Sequence, residues 1–222
     1  MSFELDHLFI CVSEEAPEAD RLIEFGLTEG PRNTHPGQGT ANRRFFFQKG
    51  MIELLWLCDE GEAKTDLVAP TRLFERLHHG KTGASPFGLI FRPTRQGETA
   101  RPFDCWEYRP PYLPEGMSFY IGENSTVTEE PFLAYIPFRV GEEEYRARCK
   151  PFLDHTIGIR EITGVRITSP ESQSRSAAIR AAEIDRVSFT AGAEHLIEIE
   201  FDSGKEGRTT DFRPTLPLVF HW

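Results

Sequence analysis

The 222-residue chain has no apolar run longer than a few residues, which excludes a membrane-spanning helix. Its first residues, Met-Ser-Phe-Glu-Leu-Asp-His, supply neither a basic start nor an apolar signal core, so the cytoplasm is the expected compartment. No C-x-x-C pair occurs among Cys11, Cys58, Cys105 and Cys149, which removes a zinc ribbon; widely spaced cysteines in a reducing compartment are expected as free thiols. There is no Ser-His-Asp order, no glycine-rich phosphate loop and no H-E-x-x-H helix. Positive charge is scarce: 25 Lys and Arg against 35 Asp and Glu leave a net charge of −10. Such a surface repels phosphate backbones and anionic bilayers, so neither nucleic acid nor membrane is an expected partner. An anionic small molecule stays open, because local arginines decide that.

What is present is a pattern of short strands. The length and a 39% hydrophobic fraction suit one large domain or two small ones. Residues 3–12 read as a strand. A helix follows with Leu22, Ile23 and Phe25 on its stripe, and Gly26 stops it. A short strand is expected near Leu27, then a turn-rich loop at 35–39, then strands at 41–48 and 51–58. Residues 59–69 read as a charged linker and 70–79 as a short helix. Strands are expected at 86–92, 103–108, 117–121 and 132–138, with a solvated charged stretch at 141–150. The end repeats the first order: a strand at 162–168, a helix within 172–183, and strands at 184–190, 196–201 and 217–222. The division is a first module at 1–58, a linker and helix at 59–83, a second strand-rich module at 84–138, a charged linker at 139–158 and a third segment at 159–222.

Residues 5–14 match 162–171 in apolar pattern without gaps, and Ile52-Glu-Leu-Leu resembles Ile197-Glu-Ile-Glu. Leu5-Asp6-His7 on the first strand, His35-Pro-Gly-x-Gly-Thr-x-Asn42 in the loop and Ile52-Glu53-Leu54 on the fourth strand carry a resemblance to glyoxalase-like domain proteins of the vicinal-oxygen-chelate superfamily. Pro86-Phe-Gly, Pro131-Phe-Leu and Glu161-Ile-Thr-Gly-Val-Arg extend it more loosely. The resemblance implies an α+β fold of repeated βαβββ modules forming curved, mainly antiparallel cupped sheets with helices outside. It also implies a small-molecule ligand in the cup and a divalent metal (Mn, Fe, Ni or Zn) held by His and Glu, metal-free members of the fold being the alternative.

Side chains alternate along a strand, so His7, Phe9 and Cys11 share one face and Leu8, Ile10 and Val12 the other. The same parity sets Glu53 against Ile52, Leu54 and Trp56. His7 and Glu53 are therefore expected to approach each other across neighbouring strands, as metal ligands or as a hydrogen-bonded polar pair, with Glu53 a candidate catalytic group. Gly164 stands where His7 has its counterpart in the third segment. His35, Asn42 and Arg44 are candidate ligand contacts; one of Arg43 and Arg44 faces the cup, and either could clamp a carboxylate or sit in a surface ion pair. Trp106, Tyr108 and Tyr112 could form an aromatic wall, and Tyr135 lies where a second-module ligand is expected. Glu198 and Glu200 share a face, either as an acid–base pair, with Glu198 the candidate catalytic residue, or as the solvent side of an amphipathic strand. His78-His79 reads as a helix end; His155 and His221 have no assigned role. Three functions compete: a metal-assisted lyase, isomerase or dioxygenase on a small oxygenated compound, a metal-free sequestering protein, and an interaction module. The third segment needs cover for its open face, from the middle segment or from a second subunit, which makes a homodimer possible.

Overall fold

The structure, a computed structural model, describes residues 2–98, 100–170 and 175–222. Eight strands form one sheet: β1 (Phe3–Cys11), β2 (Asn33–His35), β3 (Thr40–Phe46), β4 (Met51–Leu57), β5 (Phe87–Pro93), β6 (Cys105–Tyr108), β7 (Phe119–Gly122) and β8 (Phe132–Tyr135). Their order, β2-β3-β4-β1-β5-β8-β7-β6, is a palindrome of two modules. In each module the first strand pairs parallel with the last, β1 with β4 and β5 with β8; β1 and β5 then meet antiparallel at the centre. Helix α1 (Ala19–Phe25) crosses the back of the first module and ends at Gly26, whose φ of 116° is left-handed.

The alternation read from the sequence sorts the two faces. Leu8, Ile10, Ile52 and Leu54 enter one core on the back of the sheet. Phe9, Cys11 and Leu55 enter a second cluster on the cup side with Ile90, Tyr108 and Phe132.

The third segment has a different role from the one its pattern suggested. Strands β9 (Ile162–Pro170), β10 (Val187–Gly192), β11 (Leu196–Phe201), β12 (Thr209–Asp211) and β13 (Leu218–His221) make a separate sheet ordered β10-β9-β11-β13-β12. The strand after its helix pairs directly with β9, whereas in the first module that position belongs to β4. Matching apolar alternation at 5–14 and 162–171 reports a half-buried strand and carries no information on which neighbour it takes. Val165, Ile199 and Phe220 pack with Leu8, Ile10 and Leu22 in the back core, so this sheet covers the main sheet from behind. The cover for its apolar face thus comes from within the chain.

Some local expectations are corrected. The charged linker contains a helix, α2 (Glu60–Ala63), capped by the Asp59 side chain accepting from the Glu62 amide. The helix expected over 70–79 is broken into a 3-10 turn at Ala69–Thr71, α3 (Leu73–Leu77) and α4 (His79–Thr82), because Arg72 is left-handed, with φ of 56°. The charged stretch at 141–150 holds α5 (Glu142–Cys149). Of the helix expected within 172–183, α6 (Ala177–Ala182) is present, capped by Ser176, and residues 171–174 lie outside the described residues. The short strand forms at Asn33–His35 rather than near Leu27.

His155, unassigned from sequence, joins the charged linker to the first module. Its Nδ1 accepts from the Thr28 amide at 3.0 Å, its Nε2 donates to the Phe46 carbonyl at 3.1 Å, and its ring lies 4.8 Å from Phe47. That geometry requires the neutral ring, and burial holds its pKa below the ordinary value. The stability it confers is present above an unfolded pKa of about 6.5 and is lost as pH falls from there toward the folded value. His155→Phe is expected to cost about 1–3 kcal/mol at pH 7.5, since a buried amide and carbonyl lose their partner. The gap between variant and parent should narrow as denaturation is repeated down to pH 5; a constant gap would remove His155 from the acid response.

Candidate functional site

A cavity of about 510 Å³ opens on the cup side of the main sheet. Its floor is apolar, with Phe9, Leu55, Ile90, Phe132 and Ala134. One end is polar: Asp6, His7, Arg44 and Glu53. Strand parity delivers His7 and Glu53 there as expected. Asp6 arrives by another route. The β1–β5 register shifts between Leu5 and His7, so a bulge lets both Asp6 and His7 line the cavity.

The bulge sets the electrostatics. Asp6 Oδ1 lies 2.6 Å from His7 Nδ1, and its other oxygen takes an ion pair from Arg92 at 2.9 Å. Burial raises the Asp6 carboxyl, but the His7 bond and the His7 and Arg92 charges outweigh it and hold the pKa below the usual range. Burial opposes the His7 charge too, yet the Asp6 hydrogen bond and the fields of Glu53 and Asp6 leave its pKa raised. His7 Nε2 has no partner among the described residues, and neither does the Glu53 carboxylate. The two act on each other through space; the ion pair of His7 is with Asp6.

His35 lines the cavity as a structural ring. Asn33 Nδ2 lies 3.3 Å from its Nε2 and Thr40 Oγ1 2.9 Å from its Nδ1, and burial lowers its pKa, so it is a neutral imidazole with both nitrogens engaged. Tyr108 and Tyr112 donate to Gln38 Oε1 at 3.1 and 3.3 Å and form the wall. The loop between β2 and β3 is held by Glu62, whose Oε2 accepts from the Gly37 and Gly39 amides at 2.6 and 3.0 Å. Gly39, with φ of 75°, lies so close to the α2 cap that a Cβ would sit 2.1 Å from the Asp59 carbonyl oxygen.

Of the two consecutive arginines, Arg44 faces the cup. Arg43 turns to the back and is bound by Glu29 and Asp20.

Four expected site residues lie outside this cavity. Asn42 is fully buried, and neither side-chain polar atom has a partner among the described residues. Trp106 packs beside Tyr108 and borders a shallow depression with Pro70 and Ser125. Tyr135 points to the back core, because the cup face of β8 belongs to Phe132 and Ala134. Glu198 is on the outer face of the second sheet, where it accepts from His221 at 3.2 Å and pairs with Arg166 at 3.5 Å. That is the solvent side of an amphipathic strand.

The family's divalent metal needs at least three donors. His7 Nε2 and Glu53 offer two. The facing strands β5 and β8 present Ile90, Phe132 and Ala134, and both nitrogens of His35 are engaged. Among the described residues no group of three His, Cys, Asp or Glu side chains is placed to hold a metal. The donor set does not fit the metal.

Sequence reasoning missed Asp6, Gln38 and the α5 face formed by Tyr145, Arg148 and Cys149, which also lines the cavity. The 145/149 spacing in a charged stretch was a detectable helical signal; the bulge at Asp6 leaves none.

No helix among the described residues is long and apolar enough to cross a membrane. Among curated proteins none matches the chain. A solved structure, described as a hypothetical protein from Staphylococcus aureus, superposes with a TM-score of 0.59 at 13% identity, covering 100% of this chain and 99% of that one, which supports the fold alone. The profile of the glyoxalase-like domain matches residues 5–183, spanning both modules of the cupped sheet and the first strand and helix of the covering segment. The chain therefore belongs to the glyoxalase-like domain family of the vicinal-oxygen-chelate superfamily.

Proposed function

We propose that the cup binds a small oxygenated organic compound and that Glu53 and the Asp6–His7 pair move a proton on it without a resident metal. The observation that carries this is the pairing, in one apolar-floored cavity, of two uncommitted groups: the Glu53 carboxylate and His7 Nε2. Asp6 fixes the ring through Nδ1 and favours the imidazolium, so Nε2–H is a donor where a carbonyl oxygen gains negative charge. Glu53 takes a proton from the carbon beside that carbonyl. The C–H pair becomes the C=C bond of an enolate, the carbonyl π pair moves to oxygen, and His7 stabilises it there. Return of the proton to the same carbon gives a racemised product; on an α-hydroxyketone, passage of the hydroxyl proton to the enolate oxygen with protonation at the former carbonyl carbon gives the isomer. The apolar floor holds the rest of the molecule and lowers the local dielectric, which strengthens both interactions.

The test is deuterium uptake in D2O by a panel of 2-keto acids and α-hydroxyketones, followed by proton NMR on protein dialysed against a chelator. Uptake at the carbon beside the carbonyl, with metal content below stoichiometric, is the expected result. Stoichiometric metal whose removal stops exchange would replace this reading with the metal-assisted one. Saturable binding without exchange across the panel would favour sequestration, which the apolar floor and tyrosine wall also suit.

A further inference from the structure

Most cations on the cavity are already engaged. Lys49 pairs with Glu161, Arg92 with Glu4 and Asp6, and Arg139 with Glu4, each at 2.9 Å. Arg44 and Arg148 have no carboxylate partner among the described residues, although both line the cavity. Arg44 donates Nε to the Pro31 carbonyl at 2.7 Å and stacks over Phe46 at 5.2 Å, which fixes the guanidinium and leaves its terminal nitrogens unbonded. Arg148 comes from α5, whose Tyr145 hydroxyl donates to the Phe47 and Gly50 carbonyls at 3.0 Å, fastening the helix to the β3–β4 turn. Two like charges are thus held on one rim. Burial lowers the Arg44 pKa against the opposing field of Glu53, and the Arg148 charge adds to the lowering. The acids nearby do not close them: Glu53 stands opposite Arg44 in the β3–β4 register without reaching ion-pair contact, and Glu142 faces Arg146 at 3.8 Å.

We infer that Arg44 and Arg148 form a clamp for an anionic group, so that the ligand of the cup is an organic carboxylate or phosphate with an apolar body. Two guanidinium planes provide the fork geometry that carboxylate and phosphate oxygens accept. Two arginines without a carboxylate partner among the described residues, set on the apolar cavity of a chain with net charge of −10, place positive charge where the ligand enters. The inference rests on the cup being a ligand site, and it narrows the substrates of the proposed chemistry to those with an acidic group.

Isothermal titration with a series from phenylacetate to 6-phenylhexanoate, each against its uncharged amide, and with phenyl phosphate, tests it. At least one anion should bind 10-fold or more tightly than its uncharged counterpart, and the preference should weaken with added salt. Arg148→Gln, on an exposed helix, should remove most of that preference, and Arg44→Gln the rest. Arg146→Gln, outside the cavity lining, should leave it intact. Carboxylate or phosphate preference identifies which anion is taken. Acid and amide binding equally, or a preference that survives both cavity variants, overturns the clamp while the cup stands. Failure of every probe to bind defeats the cup reading and the clamp together.

Discussion

Glu53→Gln is expected to slow deuterium exchange about 10²–10⁴-fold, the usual contribution of a positioned general base. The amide keeps the shape and cannot take the proton. Folding should be unaffected within about 0.5 kcal/mol, because the carboxylate makes no hydrogen bond or ion pair among the described residues that the change would break. The pH profile separates the roles. The active form of His7 is the imidazolium, whose pKa is raised. Exchange should therefore decline as pH rises past the folded value, which lies above the ordinary imidazole value. The stability contributed by the charged ring is fully present below the ordinary pKa and is lost over the same rise. Asp6→Asn removes the negative charge that favours the protonated ring, so the alkaline limb should move to lower pH. A limb that stays in place would remove Asp6 from the positioning role, and unchanged exchange in Glu53→Gln would end the proton-transfer reading.

Arg76→Met should give the largest stability loss, about 3–5 kcal/mol, comparable with breaking a buried charge network from one side. Arg76 is fully buried, and no carboxylate among the described residues forms an ion pair with its guanidinium. Its Nη1 donates to the carbonyls of Ser85 at 3.3 Å, Thr128 at 3.0 Å and Glu130 at 2.5 Å, and its Nη2 to Ser125 at 3.5 Å. Burial lowers its pKa to about 10, still well above neutrality, so the charge persists in the fold. Methionine fills most of the volume, but the Ser85, Ser125 and Glu130 carbonyls lose the donor that Arg76 supplies, and Thr128 keeps only the Ser85 amide. For a chain of this size the loss corresponds to a melting temperature lower by roughly 10 °C. Urea denaturation that finds less than 1 kcal/mol would show that water reaches these carbonyls instead.

The sequence by itself determined which residues face which side of the main sheet. His7, Phe9 and Glu53 reach the cup because burying Leu8, Ile10, Ile52 and Leu54 behind it stabilises by about 1.5–3 kcal/mol per side chain, so a one-residue slip is costly. It also determined the first module, where α1 stops at a left-handed glycine. Only the tertiary structure decided the rest. Arg43 and Arg44 are adjacent and chemically alike; the back-side acids Glu29 and Asp20 chose between them. The bulge that brings the Asp6 carboxylate against His7 comes from the pairing of β1 with β5, some 80 residues on, and strand alternation is blind to it. The third segment carries the same period-two pattern as the first strand, yet it covers the back core, because a half-buried strand specifies a buried face and not a neighbour. Arg148 reaches the cavity because Tyr145 pins α5 to carbonyls nearly 100 residues earlier in the chain, a contact set by three-dimensional proximity alone.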